Sequence, residues 1–287
     1  NPKSWGFINT YILCKRSIAM VEMNFAVIGN PIEHSMSPEI HEYFASQCNL
    51  SNFTYKKILS DKATLKDDIN SFFSNGGKGL NITIPFKFLA YSFCSRFDRT
   101  AKQCGSANTL KMQKGEIVGY NTDGLGFIDD LEIKNISFKD SNILIIGAGG
   151  SAMSICNSFL NSNQEVRISI LNRTRSNADD LINFFKGRKI EIHKHNNEYD
   201  LIVNTTPISM SGEQINLPKD ILRNNPICYD LFYNKDKTSF QTWAYSHGVD
   251  ECYDGLGMLI QQAKHSFFIW NGLTPDTSNL ERKLRII

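Results

Sequence analysis

Ile143-Leu144-Ile145-Ile146-Gly147-Ala148-Gly149-Gly150-Ser151-Ala152 reads as a buried strand, a glycine turn and the opening of a helix. Gly147 permits the tight turn, Gly149 lets a pyrophosphate approach the main chain, and Ala152 lets the helix pack closely on the strand. Unpaired N–H groups at the helix start favour phosphate, which makes Gly147, Ala148, Gly149, Gly150 and Ser151 candidate contacts. The required strand precedes the glycines and a helix of about a dozen residues follows, so a dinucleotide loop is expected rather than a bare structural turn. The next strand ends in Asn172-Arg173-Thr174-Arg175, with no carboxylate to hold a ribose 2′-hydroxyl. Arginine pairs with a 2′-phosphate that a carboxylate would repel. The spacing favours NADP, with Asn172, Arg173, Thr174 and Arg175 as its candidate contacts.

Short apolar runs alternate with helical segments on both sides of this loop. Upstream, Phe25-Ala26-Val27-Ile28 closes at Gly29-Asn30-Pro31. A helix follows, with Ser37 as N-cap and Pro38 at its first position. A second strand is expected over Phe53 to Leu59, then a helix stopping at Gly76-Gly77, then a strand from Gly79 to Ile84. Lys114-Gly115 marks a hairpin between Thr109–Met112 and Ile117–Tyr120. Downstream, strands are expected at Asn142–Ile146, Val166–Leu171, Asp200–Asn204 and Ile227–Leu231. From Gly255 onward the chain reads as helical, with Met258, Leu259, Gln262, Ala263 and Ser266 on one face, and is expected to return to the first lobe. This alternation implies crossover connections and largely parallel sheets. The fold class is α/β, in two lobes, the second a Rossmann-like doubly wound domain, with the junction near Asn121 to Gly126.

The 287 residues suffice for about two domains. A charged fraction of 21% beside 41% hydrophobic residues excludes a wholly disordered chain. The net charge of +2 is made of scattered residues, which argues against nucleic acid or an acidic membrane as the main partner. No run approaches the roughly 18 apolar residues that span a bilayer. Seven cysteines without Cys-x-x-Cys or zinc-like spacing read as reduced thiols of a cytoplasmic protein, with no metal site. His193 and His195 alternate with Ile192 and Lys194, which predicts two solvent-facing histidines on one strand. Residues 1–22 lack a signal-peptide pattern and read as a tag or disordered extension outside the fold.

Further segments carry a resemblance. They are Gly29-Asn30-Pro31-Ile32-Glu33-His34-Ser35-Met36-Ser37-Pro38, Asn81-Ile82-Thr83-Ile84-Pro85-Phe86-Lys87, Ala107-Asn108-Thr109, Gly119-Tyr120-Asn121-Thr122-Asp123-Gly124, Asn204-Thr205-Thr206-Pro207 and Asp254-Gly255-Leu256-Gly257-Met258-Leu259 with Gln262. In this order they resemble the shikimate dehydrogenases, from about Asn24 onward. The resemblance implies a substrate-binding and catalytic domain over 24–122 plus 255–287, and an NADP-binding domain over 123–254. It implies reversible NADPH-dependent reduction of 3-dehydroshikimate to shikimate, a step in aromatic amino acid biosynthesis. Ser35 and Ser37 would donate to the substrate carboxylate, and Thr83, Asn108, Tyr233 and Gln262 would hold its hydroxyls. Lys87 and Asp123 would form the catalytic pair between the lobes, with Leu231 and Gly255 against the nicotinamide.

The chemistry suits those residue types independently of the resemblance. Hydride arriving at a ketone carbon leaves negative charge on oxygen, which a lysine ammonium can stabilise and then protonate. One departure concerns the cofactor: family members often carry a second basic residue three positions after the threonine of Asn-Arg-Thr, where this chain has Asn177, with Arg175 two residues earlier. The nearest alternative is therefore a quinate/shikimate dehydrogenase using NAD or both cofactors. A non-catalytic sensor of NADP or a cyclitol acid is opposed by the presence of both Lys87 and Asp123. The expected partner is a small molecule, with neither nucleic acid nor membrane, and the expected state a monomer or homodimer.

Overall fold

In the computed structural model the structure describes residues 22–210 and 215–286. The N-terminal extension expected over 1–22 lies outside them except for the exposed Glu22. The first sheet is built by β1 (Met23–Gly29), α1 (Ser37–Gln47), β2 (Phe53–Leu59), α2 (Leu65–Ser74), β3 (Gly77–Ile82), α3 (Lys87–Ser92), β4 (Arg96–Phe97), α4 (Arg99–Cys104), β5 (Thr109–Gln113) and β6 (Glu116–Tyr120). Its strand order is β2-β1-β3-β5-β6-β4. β1 pairs parallel with β2 and β3, and the β5–β6 hairpin joins antiparallel to β3.

After α5 (Asp123–Ile133) come β7 (Ser141–Ile146), α6 (Gly150–Asn161), β8 (Val166–Leu171), α7 (Arg175–Phe184), β9 (Ile190–Ile192), β10 (Leu201–Asn204), β11 (Ile227–Asp230), α8 (Ser239–Ser246) and β12 (Cys252–Tyr253). These strands pair parallel throughout the described residues, in the order β12-β11-β10-β7-β8-β9. β7 and β10 stand side by side where the winding reverses, the place at which a doubly wound sheet opens a ligand crevice. α9 (Leu256–Asn271) and α10 (Leu280–Leu284) then return to the first sheet, where Leu256, Ile260, Ala263 and Phe267 share a core with Ile40 and Phe44 of α1.

Each central strand feeds two cores. Ile143 and Ile145 of β7 pack with Phe127, Ile155 and Phe159, whereas Leu144 and Ile146 pack with Ile202, Phe240 and Trp243. Burial on both faces is why such a strand reads as an unbroken apolar run. α5 is wedged between α6 and α9 through two glycines. A Cβ on Gly124 would lie 2.0 Å from Ser158 Oγ of α6, and one on Gly126 would lie 2.3 Å from the Gln262 main-chain nitrogen of α9.

Several expectations need correction. β3 starts at Gly77 and ends at Ile82, because Gly76 alone makes the left-handed turn after α2 while Gly77 lies tight against the Phe72 ring. The N-cap of α1 is Met36 rather than Ser37, and it is the Ser35 hydroxyl that accepts the Ser37 N–H, at 3.3 Å. β9 ends at Ile192, so His193 and His195 lie beyond it. His193 is half-buried with Nδ1 2.6 Å from Tyr199 Oη, and only His195 is exposed. α9 is buried around most of its circumference, Gln261 and Trp270 included, because α1, α5, α10 and the sheet all border it. Cys104, Cys156, Cys228 and Cys252 are buried free thiols and Cys48 and Cys94 half-buried ones, while Cys14 lies outside the described residues. Among the described residues no helix is long and apolar enough to cross a membrane.

One buried group makes the fold sensitive to acid. His41 of α1 is 0% exposed, stacks on Tyr55 with ring centroids 4.4 Å apart, and among the described residues neither ring nitrogen has a hydrogen-bond partner. Burial pushes its imidazole down from 6.5 to about 3. Between those values the unfolded chain binds a proton that the folded chain refuses, so stability is full above pH 6.5 and falls as pH drops below it. At pH 5 the expected loss from this group is about 2 kcal/mol. Urea unfolding at pH 7 and pH 5 should therefore show a smaller acid loss in His41→Leu than in the parent chain. Equal losses in the two proteins would exonerate His41.

Candidate active site

Lys87 opens α3 just after the Ile84-Pro85-Phe86 turn, and Asp123 opens α5 just after the Asn121-Thr122 corner. Their side chains meet, with Lys87 Nζ 2.6 Å from Asp123 Oδ2. Side-chain exposures of 12% and 6% take this ion pair largely out of solvent, where its charges are weakly screened. The other carboxylate oxygen, Oδ1, accepts from Asn108 Nδ2 at 2.8 Å. Asn108 cannot turn its amide round, because its Oδ1 accepts the Thr122 N–H at 2.9 Å. Gln262 of α9 completes the group: Nε2 donates to Leu259 O at 2.9 Å, so Oε1 faces Asn108 Nδ2, at 3.2 Å.

Behind these side chains stands a buried polar frame to which sequence reasoning assigned no role. Asn81 Nδ2 donates to Thr109 Oγ1, Ser266 Oγ and Asn108 O, and its Oδ1 accepts from Tyr55 Oη at 2.7 Å. Asn121 Oδ1 accepts the Asp123 N–H at 3.2 Å and its amide donates to Ser106. The available signal was position: Asn81, Thr109, Asn121 and Thr122 all sit inside the motif runs, adjacent to residues that were singled out.

A second group gathers at the mouth of the first sheet. Ser35 Oγ donates to Ser37 Oγ at 3.1 Å. Tyr233, in the loop after β11, accepts the Met36 N–H on its phenol oxygen at 3.2 Å. Burial pushes the Tyr233 phenol up from 10.0, which keeps it a neutral donor. Thr83 is half-buried beside Gly29, where a Cβ would fall 2.2 Å from the Thr83 methyl.

The glycine loop fits a dinucleotide. Gly147 has φ +115° and a Cβ there would meet Thr205 Oγ1 at 2.4 Å, so the turn requires glycine. At Gly149, by contrast, a Cβ would meet nothing within 4 Å, which leaves open access to the main chain. α6 starts there with no side-chain cap, so its first N–H groups are available to an anion. Ala148 is half-buried and Ala152 fully buried. Gly150 lies against Lys87, with a Cβ at 3.2 Å from the lysine Cβ, and Ser151 Oγ accepts from Lys87 Nζ at 3.2 Å. Leu231 and Gly255 abut, a Cβ on Gly255 falling 2.1 Å from Leu231 O. After β8, Asn172 Nδ2 closes on Thr174 O at 2.8 Å and Arg173 is exposed. Arg175 Nε instead pairs with Asp179 of its own helix at 2.9 Å.

A parallel doubly wound sheet whose phosphate-type loop touches a lysine–carboxylate pair of a neighbouring sheet defines a two-lobe, dinucleotide-dependent dehydrogenase. Comparison with known proteins narrows the class. Residues 27–110 match the shikimate dehydrogenase substrate binding domain, 130–216 match shikimate / quinate 5-dehydrogenase, and 255–285 match the shikimate 5'-dehydrogenase C-terminal domain. A shikimate dehydrogenase (NADP(+)) of Legionella pneumophila (strain Lens) is 41% identical over 263 residues, covering 91% of this chain and 98% of that protein. One from Vibrio cholerae serotype O1 is 40% identical over 269 residues, covering 91% and 95%. The crystal structure of the Thermus thermophilus enzyme in complex with NADP(H) and shikimate superposes with a TM-score of 0.81 at 28% identity, covering 92% of this chain and 99% of that one. The chain belongs to the shikimate dehydrogenase family.

Proposed function

We propose that this protein is an NADP-dependent dehydrogenase that interconverts shikimate and 3-dehydroshikimate. The observation that carries the reading is the shielded Lys87–Asp123 pair, with Nζ 2.6 Å from the carboxylate and 3.2 Å from Ser151 of the glycine loop. NADPH, when bound, supplies the hydride to the ketone carbon. The Lys87 ammonium is set to stabilise the resulting oxyanion and to deliver its proton. Asp123, pinned by Asn108, orients Lys87 and contacts the reacting hydroxyl. Ser35 and Ser37 take the carboxylate, while Thr83, Asn108, Tyr233 and Gln262 take the ring hydroxyls. Gly147 to Ser151 take the pyrophosphate, Asn172 to Arg175 the 2′-phosphate, and Leu231 and Gly255 face the nicotinamide. The reading divides the chain into a substrate domain, 24–122 plus 255–287, and a cofactor domain, 123–254. It makes the protein a cytoplasmic enzyme, monomeric or homodimeric.

Incubation with shikimate and NADP+ should produce NADPH absorbance, and kcat/KM should be highest for that pair among shikimate and quinate, each with NADP+ and NAD+. No reduction of either cofactor by either acid would overturn the reading. Of the two arginines, Arg175 is already paired with Asp179 of its own helix, which leaves the exposed Arg173 in the loop before it. Arg173→Ala should therefore raise the KM for NADP+ about tenfold, the cost of one charge-assisted contact, and leave the KM for shikimate within about twofold. Equal rises in both constants would remove Arg173 from the cofactor site.

A further inference from the structure

Asp254 stands between β12 and α9, one residue before Gly255. Its side chain is 3% exposed and is gripped from outside by Arg285, just beyond α10. Arg285 Nη1 donates to Oδ2 at 2.9 Å and Nη2 to Oδ1 at 2.7 Å, a two-pronged contact that fixes the plane of the carboxylate. Oδ1 also accepts the Leu256 N–H at 3.2 Å, which ties the first turn of α9 to the same group.

The arginine is itself held. Its Nη2 donates to Glu281 at 2.7 Å, Glu281 accepts at 3.3 Å from Lys134, the residue just after α5, and Lys134 donates to Asp130 at 2.7 Å. The remaining oxygen of Asp130 accepts from Tyr229 of β11, at 2.6 Å. The chain of contacts thus ends two residues before Leu231 on one side and one residue before Gly255 on the other. There is no slack between those ends. A Cβ on Gly255 would fall 2.1 Å from Leu231 O, and one on Gly257 would fall 2.0 Å from Asp130 Oδ1.

We propose that Arg285 is a positioning residue for hydride transfer: through Asp254 it sets the height of the Leu231–Gly255 wall on which the nicotinamide rests. The proposal depends on the reading above that puts the nicotinamide against this wall. Donor and acceptor carbons must approach closely, and a displacement of about 1 Å can cost on the order of 10²-fold in rate. Partial release of the wall in Arg285→Gln should lower kcat about tenfold with the KM for shikimate within about twofold. With shikimate deuterated on the carbon that is oxidised, the primary isotope effect on kcat should rise, because the hydride step becomes the slow one. A purely structural arginine would change the melting temperature or the fraction of active protein, and leave kcat per active site and the isotope effect alone.

Unchanged kcat and isotope effect in Arg285→Gln, beside an active parent, overturn the clamp and spare the functional reading. An inactive parent overturns both. Should Arg285→Gln fail to fold, Arg285→Lys carries the test, since it keeps the charge and loses the two-pronged fork. A fall in kcat of about threefold with a raised isotope effect is then expected, and parental values for both sink the proposal.

Discussion

Lys87→Ala lowers kcat by about 10²-fold or more, the range lost when positioned acid–base help is removed, while NADPH binding followed by its fluorescence changes little. The expectation follows from where the charge sits. The ammonium lies at the contact of the two lobes, 2.6 Å from Asp123 Oδ2, and is the one cation of the immediate group among the described residues. Asn108 and Gln262 can orient a hydroxyl, yet neither can neutralise an oxyanion or supply a proton at neutral pH. Asp123→Asn should fall in the same range, since the amide cannot hold the lysine as an ion pair and its single oxygen cannot accept from both Lys87 and Asn108. Each variant also leaves a largely buried charge without its partner, so the melting temperature should fall by about 5 °C or more and kcat is compared per folded active site. A Lys87→Ala protein with turnover near that of the parent would remove the lysine from the chemistry.

Gly126→Ala should cost both stability and activity. The new methyl would meet main-chain atoms of Gln262, nitrogen at 2.3 Å and Cα at 2.7 Å, so no rotamer change relieves it and α9 must move. Alanine gains up to about 1 kcal/mol of helix propensity over glycine, while overpacking of this kind costs about 1–3 kcal/mol. Contact with main chain puts this site at the upper end, so the melting temperature should drop by about 5 °C. The same shift carries Gln262 away from Asn108, and kcat/KM for shikimate should fall about tenfold or more, since small misplacements are costly in a positioned site. A variant that melts and turns over like the parent would show that α5 and α9 can separate freely.

The parts of this architecture that could be read from residues alone are those with a dense local signal. β7 carries the unbroken apolar run Ile143–Ile146 because both faces are covered, β8 sets Val166, Ile168 and Ile170 into the core on either side of Arg167 and Ser169, and Lys114-Gly115 takes the positive φ values that a two-residue hairpin turn demands. α3, α4, β4 and β12 are two to six residues long, too short for any periodicity to accumulate. The same division holds at the site. Lys87, Asp123, Asn108 and Gln262 lie in separate motif runs, and the structure brings them into one hydrogen-bonded group. Ser266 showed only as a member of the Gln262 face, and Tyr55 and Arg285 gave no warning, since an arginine 31 residues from its carboxylate looks ordinary until the chain has folded.

The return of α9 to the opening sheet has a consequence for how the protein is made. Phe25 stacks on Trp270 with ring centroids 4.9 Å apart, and Phe44 meets Phe267 edge-on at 5.7 Å. During synthesis the earlier partner of each pair leaves the ribosome more than two hundred residues ahead of the later one. The lobe begun first is therefore finished last, and the nascent chain carries a naked aromatic surface while the intervening Rossmann-type unit, continuous in sequence, can already close. Chaperone capture in that interval should fall on the β1–α1 segment, and release should coincide with emergence of residues 256–271.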